Sequence, residues 1–147
     1  MILAVHAITG GLVGEAIDQP FLAFSAGFFL HFILDSIPHF DCLEKGKFGR
    51  KQWIFSLSEF VLGLAFILFY LRPEISLSNP FVWGMIGGLL PDFIDNMPLW
   101  SAKVQKTNLG ALLHNVHVKF HSKIFPSIWV GMAIQLFVII SFLVLLR

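Results

Sequence analysis

The sequence predicts an all-α fold, a polytopic integral membrane helical bundle with about five transmembrane or re-entrant helices and one interfacial helix. Hydrophobic residues make up 56% of the 147 positions, charged residues only 13%, and the apolar residues gather in long runs. A bilayer core requires about 20 mainly apolar residues per helix, and lipid offers no partner to unpaired backbone groups. We therefore expect these runs to be helical and residues 1–147 to form a single membrane domain.

Pro, Gly or charged segments separate five predicted spans, at 2–18, 21–38, 53–71, 80–97 and 124–146. The segment 101–123 begins polar and becomes apolar, which predicts an interfacial helix before the last span. Alternating crossings place the N-terminus, the 41–52 loop and the 97–123 segment on one side, here called the lysine-rich side.

Eight of the ten Lys and Arg residues lie on the lysine-rich side. They are Lys45, Lys47, Arg50, Lys51, Lys103, Lys106, Lys119 and Lys123. The positive-inside rule then predicts that this side faces the cytoplasm across the inner membrane. The single cysteine, Cys42, agrees with a reducing compartment and excludes a thiolate metal framework. No basic stripe interleaved with aromatic residues indicates nucleic-acid binding.

All six histidines and four aspartates map to the lysine-rich side or to the adjoining helix ends. They are His6, His31, Asp35, His39, Asp41, Asp92, Asp95, His114, His117 and His121. A charged side chain at the bilayer centre costs roughly 2.5–3.5 kcal/mol on insertion scales, so ionisable residues in spans usually serve a function. Such clustering favours a functional site at this end of the bundle.

The spacing of these residues is typical of metal ligands. His31 and Asp35 lie within about 40° of each other on one helix face, and His39 follows one turn later. Imidazole and carboxylate groups at this interval can bind one ion or bridge two, and they suit zinc, manganese or iron. Pro91 can break the local helix ladder and aim Asp92 and Asp95 inward.

The last three histidines, His114, His117 and His121, fall within about 60° on a helix. The predicted metal ligands are therefore His6, His31, Asp35, His39, Asp92, Asp95, His114, His117 and His121. Structural alternatives remain open for several of them. His6 or His31 could be a hydrogen-bonded core residue, the two aspartates could cap a helix end, and the histidine row could meet lipid headgroups.

Two further residues are candidates for catalytic roles. Glu59 lies inside the third span, about two turns from the lysine-rich side, where it could support a metal ligand or relay protons. Lys119 could bind a phosphate electrostatically, although lysines at this level also serve as orientation signals and lipid contacts.

Four motifs resemble those of the bacterial membrane-bound metal-dependent hydrolases. They are an early histidine, the G-x-x-x-H-x-x-x-D segment from Gly27 to Asp35, the L-P-D-x-x-D segment from Leu90 to Asp95, and the H-x-x-H of His114 and His117. The stretch FFLHFILDSIPHFD also resembles the zinc-binding helix of zinc-dependent phospholipase C and the single-strand-specific nucleases. This resemblance implies metal-dependent hydrolysis, with zinc ions cleaving a phosphoester.

The residues and the resemblance together predict a membrane-embedded metal-dependent hydrolase. We expect two or three divalent ions, zinc foremost and manganese or iron as alternatives, that activate a water against a lipid or lipid-linked phosphoester at the cytoplasmic face. The competing hypotheses are a metal-ion transporter or sensor and a non-catalytic structural membrane protein. A transporter should carry polar residues through to both faces. The oligomeric state stays open.

Overall fold

The structure, a computed structural model, describes residues 1–40, 50–71, 75–97 and 99–147, without the side chains of 51–53 and 70. The described residues contain α-helices, one π-helical turn and no strand, which confirms the predicted all-α class. The helices are α1 (Leu3–Ile17), α2 (Pro20–Ser36), α3 (Arg50–Phe66), α4 (Pro80–Asp95), α5 (Ser101–Val104), α6 (Asn108–Phe120) and α7 (Ile128–Leu146), and the π-helical turn Ile67–Leu71 extends α3.

Each predicted span coincides with one helix to within a few residues, but the predicted interfacial helix is divided in two. The division falls at Thr107, whose side chain accepts a hydrogen bond from the Gly110 backbone N–H at 3.1 Å and so caps the start of α6. The predicted 41–52 loop, with Asp41 and Cys42, lies outside the described residues over positions 41–49.

Within the described part of the chain, only α7 is long and apolar enough to cross a membrane by itself. The apolar stretches Leu3–Ile17, Pro20–Asp35 and Ile54–Phe69 are shorter. One such helix does not establish the polytopic arrangement that composition predicts.

Helices α1, α2 and α4 form the centre of the bundle, with both α1 and α2 packed closely on α4. Glycines allow this approach, because a Cβ atom added at Gly84 of α4 would overlap the Gly10 carbonyl oxygen of α1. A Cβ atom at Gly27 of α2 would likewise overlap the Gly84 carbonyl oxygen. Small residues at such positions let helix backbones touch, so the spacing of these three helices is set by backbone contact.

Two polar contacts fix the outer helices to this centre. The backbone N–H of Ser122, just after α6, donates to the Asp35 carbonyl oxygen at 2.7 Å. On α7, the buried Gln135 side chain accepts from the Ile2 N–H at 2.9 Å. The start of α1 and the C-terminal ends of α2, α4 and α6 therefore meet at one end of the bundle.

Candidate metal centre

Four side chains from three helices converge at this end of the bundle, and we call them the first ligand group: His31, Asp35, Asp92 and His117. Each offers one ligand atom, and these four atoms all lie within 4.8 Å of one another. His31, Asp35 and His117 are buried, and Asp92 is the most accessible, with 12% of its side chain exposed. Helix α2 supplies His31 and Asp35 one turn apart, as their spacing predicts.

A backbone carbonyl orients the ring of His31. Its Nδ1 donates to the Gly88 carbonyl oxygen at 2.8 Å, which fixes the tautomer and leaves Nε2 to face the other ligands. This Nε2 lies 3.2 Å from Asp35 Oδ2 and 3.8 Å from Asp92 Oδ1. His31 thus makes the hydrogen bond of a core histidine, and its other ring nitrogen points into the cluster.

A carboxylate orients His117 in the same way. Its Nδ1 lies 3.1 Å from Asp95 Oδ2, and its Nε2 lies 3.0 Å from Asp35 Oδ2 and 3.5 Å from Asp92 Oδ1. Burial lowers the pKa of His117, but hydrogen bonds to Asp35 and Asp95 and the nearby charge of Asp92 outweigh burial and raise it to about 10. The surrounding carboxylates therefore strongly favour a positive charge at His117.

The dimensions of the first ligand group fit a small divalent cation. The Nε2 atoms of His31 and His117 face each other at 3.4 Å, and the other measured ligand pairs in the group span 3.0–3.8 Å. Tetrahedral zinc with bonds of 2.0–2.2 Å to nitrogen and oxygen separates its ligands by about 3.3–3.6 Å. Two imidazoles and two carboxylates are also a donor set that zinc, manganese and iron accept.

A second ligand group shares Asp35 and adds His39 and His121, with ligand atoms again within 4.8 Å of one another. His39 Nδ1 donates to the Ile37 carbonyl oxygen at 2.7 Å, so its Nε2 carries the lone pair. That Nε2 is buried, and no described group offers it a hydrogen bond. Burial also lowers the pKa of His39 to about 4. A neutral imidazole with an unpaired buried nitrogen is the state in which histidine binds metal.

The remaining predicted ligands surround these two groups. His6 Nε2 lies 3.1 Å from Asp35 Oδ1, its ring stacks on His31 with centroids 4.0 Å apart, and its buried Nδ1 has no partner among the described residues. Asp35 Oδ1 also contacts the amino group of Met1. His114 is 42% exposed in its side chain and lies 3.0 Å from Asp95 through Nδ1. Contacts thus join all nine predicted ligands into one network.

Asp95 occupies a different place from Asp92, although both were predicted to be ligands. Its two oxygens contact His114 and His117, and Oδ1 also accepts from Gln105 Nε2 at 2.8 Å. Asp95 is therefore held behind His117, where a carboxylate orients a metal-binding imidazole. Gln105 was not among the predicted site residues, and its only signal was a polar position in the 101–123 segment.

The two predicted catalytic residues belong to neither ligand group. Glu59 accepts from the backbone N–H groups of Leu3 and Ala4 at 3.2 and 3.0 Å, so it caps the start of α1. Lys119 is exposed on α6, two residues after His117. The catalytic roles of both residues stay predictions.

Comparison with models of protein families, with curated proteins and with solved structures found no match for this chain.

Proposed function

We propose that this protein is a membrane-embedded hydrolase that uses two divalent metal ions, zinc foremost, to cleave a phosphoester of a lipid substrate. The observation that carries the proposal is the facing pair of Nε2 atoms of His31 and His117, 3.4 Å apart and flanked by two carboxylates. Both rings are turned by hydrogen bonds at Nδ1, so their Nε2 atoms point at a common position. A bound cation is the simplest group that satisfies four such ligands at once.

The second ligand group supports a second ion. His39 and His121 lie close to Asp35, with ligand atoms within 4.8 Å of one another and ring centroids 4.9 Å apart. Asp35 has two oxygens and belongs to both groups, so it would bridge the two ions. Paired ions of this kind activate water and stabilise the attacking and leaving oxygens of a phosphoryl displacement.

The protein's own residues would hold and orient a substrate at this centre. Asp92 is the least buried member of the first ligand group, so the phosphate would approach past its side chain. Asp95 keeps His117 turned toward the centre, and His6 holds the second oxygen of Asp35. Lys119, exposed on the same helix as His117, would attract the anionic headgroup.

The composition of the helices supports a lipid substrate. Many large apolar side chains are exposed on α2, α3 and α7, including Phe29, Leu62, Trp129 and Phe137. Lipid would cover such surfaces in a membrane, and the ligand groups, at one end of the bundle, would then lie at the level of headgroups. By the positive-inside rule this end faces the cytoplasm.

The first prediction concerns metal stoichiometry in purified protein. Asp35→Asn should lower the bound metal by about two ions per chain, because it removes the bridging carboxylate. Asp92→Asn and His39→Gln should each lower it by about one. Elemental analysis after dialysis measures the content, and release of phosphate or alcohol from lipid phosphoesters in detergent measures activity, which should fall at least about a hundredfold in Asp35→Asn.

Lys106→Ala serves as the control, since Lys106 is exposed and lies outside both ligand groups. It should keep full metal content and activity. Full metal content in Asp35→Asn would refute the shared centre. Wild-type protein that binds two ions yet cleaves none of the lipid phosphoesters tested would refute the hydrolase and favour a transport, sensing or structural role.

A further inference from the structure

An apolar groove of about 510 Å³ lies between α2 and α6, beside the first ligand group. Its lining side chains are Phe28, Phe29, Phe32, Ile33, Leu109, Leu112, Leu113, Val116 and Phe120. The volume falls within the range of ordinary small-molecule sites, but the usual polar groups are missing from this lining. A ligand of the groove must therefore be a hydrocarbon along its whole bound length.

The groove and the candidate metal centre share a wall. Phe32 is 7% exposed, and its ring centroid lies 5.4 Å from that of His31 and 6.0 Å from that of His117. The opposite face of the groove includes Phe120, whose ring centroid is 6.4 Å from that of Phe32. One aromatic ring thus separates the apolar groove from the metal-binding side chains.

The sequence spacing explains this arrangement. On α2, Phe28 and Phe32 precede and follow His31, and on α6, Val116 and Phe120 flank His117. Residues three or four apart share a helix face. On each helix, the histidine faces the ligand groups, and the apolar residues on the adjoining face line the groove. The two sites are therefore aligned along the same pair of helices.

We infer that this groove binds the hydrocarbon tail of the substrate and thereby aims its phosphoester at His31 and His117, which rests on the proposed function. The groove is open to the side: Phe29, Ile33 and Leu109 on its rim are 66%, 60% and 77% exposed. A tail can therefore enter laterally from surrounding lipid. Lipid tails are as apolar as leucine, so the groove contributes orientation rather than transfer free energy.

Photolabelling tests the inference without requiring hydrolysis. The probe is a long-chain alkyl phosphate with a diazirine in its tail, added to zinc-loaded protein in detergent, and its neutral partner is the alcohol of the same chain. Peptide mapping should show that the phosphate probe labels Leu113 and Val116 several times more than the alcohol does. The alcohol should label the groove and exposed α7 residues such as Phe137 alike, because it lacks the headgroup that positions the tail.

A matched pair of substitutions tests the groove directly. Val116→Trp fills it, whereas Val130→Trp places the same side chain on the exposed surface of α7, where Val130 is 53% exposed. Val116→Trp should remove the selective labelling and lower kcat/KM for a long-chain phosphoester about tenfold. Hydrolysis of a soluble aryl phosphate and the metal content should stay unchanged. Val130→Trp should leave all four measurements at wild-type values. If Val116→Trp loses metal or fails to fold, Leu112→Trp on the exposed rim replaces it.

The outcomes separate the inference from the proposed function. Selective labelling without hydrolysis would support tail binding in the groove and would refute only the proposed hydrolase function. Hydrolysis together with equal labelling by the phosphate and the alcohol would overturn the inference, because the groove would then show no preference for the tail of the substrate. Cross-linked dimers joined through groove residues also overturn it and indicate a second copy of the chain as the occupant.

Discussion

Asp35 brings together two sets of contacts that no other described residue shares. It belongs to both ligand groups, and its oxygens also contact His6 and the Met1 amino group. Its own backbone carbonyl accepts from Ser122, so the position of the main chain is fixed as well. Asp35 therefore couples the geometry of α1, α2 and the end of α6.

At the scale of residues, Asp95 provides a prediction that distinguishes positioning from ligation. Asp95→Asn keeps the shape of the side chain but removes the charge that holds His117 Nδ1. We expect zinc affinity to fall about 10–100-fold, the effect usual for such supporting groups, while the number of ions bound at saturating zinc is unchanged. Competition with a zinc chelator measures the affinity.

His114→Ala is the control for this experiment, because His114 contacts the same carboxylate but is 42% exposed. Its effect on zinc affinity should be several-fold smaller. Loss of one whole ion from Asp95→Asn at saturating zinc would show instead that Asp95 binds metal directly.

The helical spacing could predict which residues share a face, but not which of them reach the centre. His31 and Asp35 contact each other because both positions lie on one helix. Asp92 and Asp95 also share a face, yet Asp92 joins the first ligand group and Asp95 stands behind His117. Which aspartate joins the group depends on where α6 crosses α4. This is a tertiary contact, and the periodicity of the sequence cannot predict it.

At the scale of helices, the contact of Glu59 with α1 is a cap between elements. An α-helix leaves its first N–H groups unpaired, and a negative charge at this end also interacts favourably with the helix dipole. Helix α1 has no side-chain cap of its own at Ile2. The Glu59 carboxylate of α3 therefore caps α1 in place of a side chain at its own N-terminus. Because this contact joins residues far apart in the sequence, local sequence patterns could not predict it.

Glu59→Gln therefore yields a stability prediction. The amide keeps one acceptor for the α1 N–H groups but removes the charge, and we expect the free energy of unfolding to fall by about 1 kcal/mol. Denaturant titration in detergent measures it, with exposed Ser58→Ala as the control. Unchanged stability together with a large loss of hydrolysis would contradict this account and support the proton relay predicted for Glu59.

The helix boundaries themselves were largely predictable, because prolines and capping residues mark them. Pro20 and Pro80 begin α2 and α4 at their first turns, where the missing N–H does no harm. Pro91 lies inside α4 without ending it. Helix α4 continues to Asp95, so the break in the backbone hydrogen-bond pattern predicted at Pro91 does not end the helix.

At the scale of the whole molecule, the described lysines and the candidate metal centre lie at the same end of the bundle. The described lysines of the segment from α5 to just after α6 lie near the ligand groups: Lys103, Lys106, Lys119 and Lys123. At the opposite end Arg147 donates to the Leu71 carbonyl oxygen at 3.0 Å and lies 3.5 Å from Glu15. The asymmetry that predicted the orientation from composition is thus also present in three dimensions.

Cysteine labelling tests this orientation in intact cells. In a Cys42→Ser background, Ser78→Cys should react with a membrane-impermeant maleimide, whereas Lys106→Cys should react only after lysis. Both positions are exposed, so access to water within the fold is matched. The reverse pattern would place the candidate metal centre on the outer face, and equal labelling of both would contradict a membrane-spanning bundle.

The glycine contacts between α1, α2 and α4 have a consequence for ion discrimination. The backbones are in close contact at Gly10, Gly27 and Gly84, so the helices that carry His31, Asp35 and Asp92 cannot move closer together. Calcium requires six to eight oxygen ligands at 2.3–2.6 Å and a compliant shell. At the proposed metal centre, helices held at a fixed spacing by main-chain contact would favour a small ion that accepts nitrogen ligands, such as zinc, over calcium.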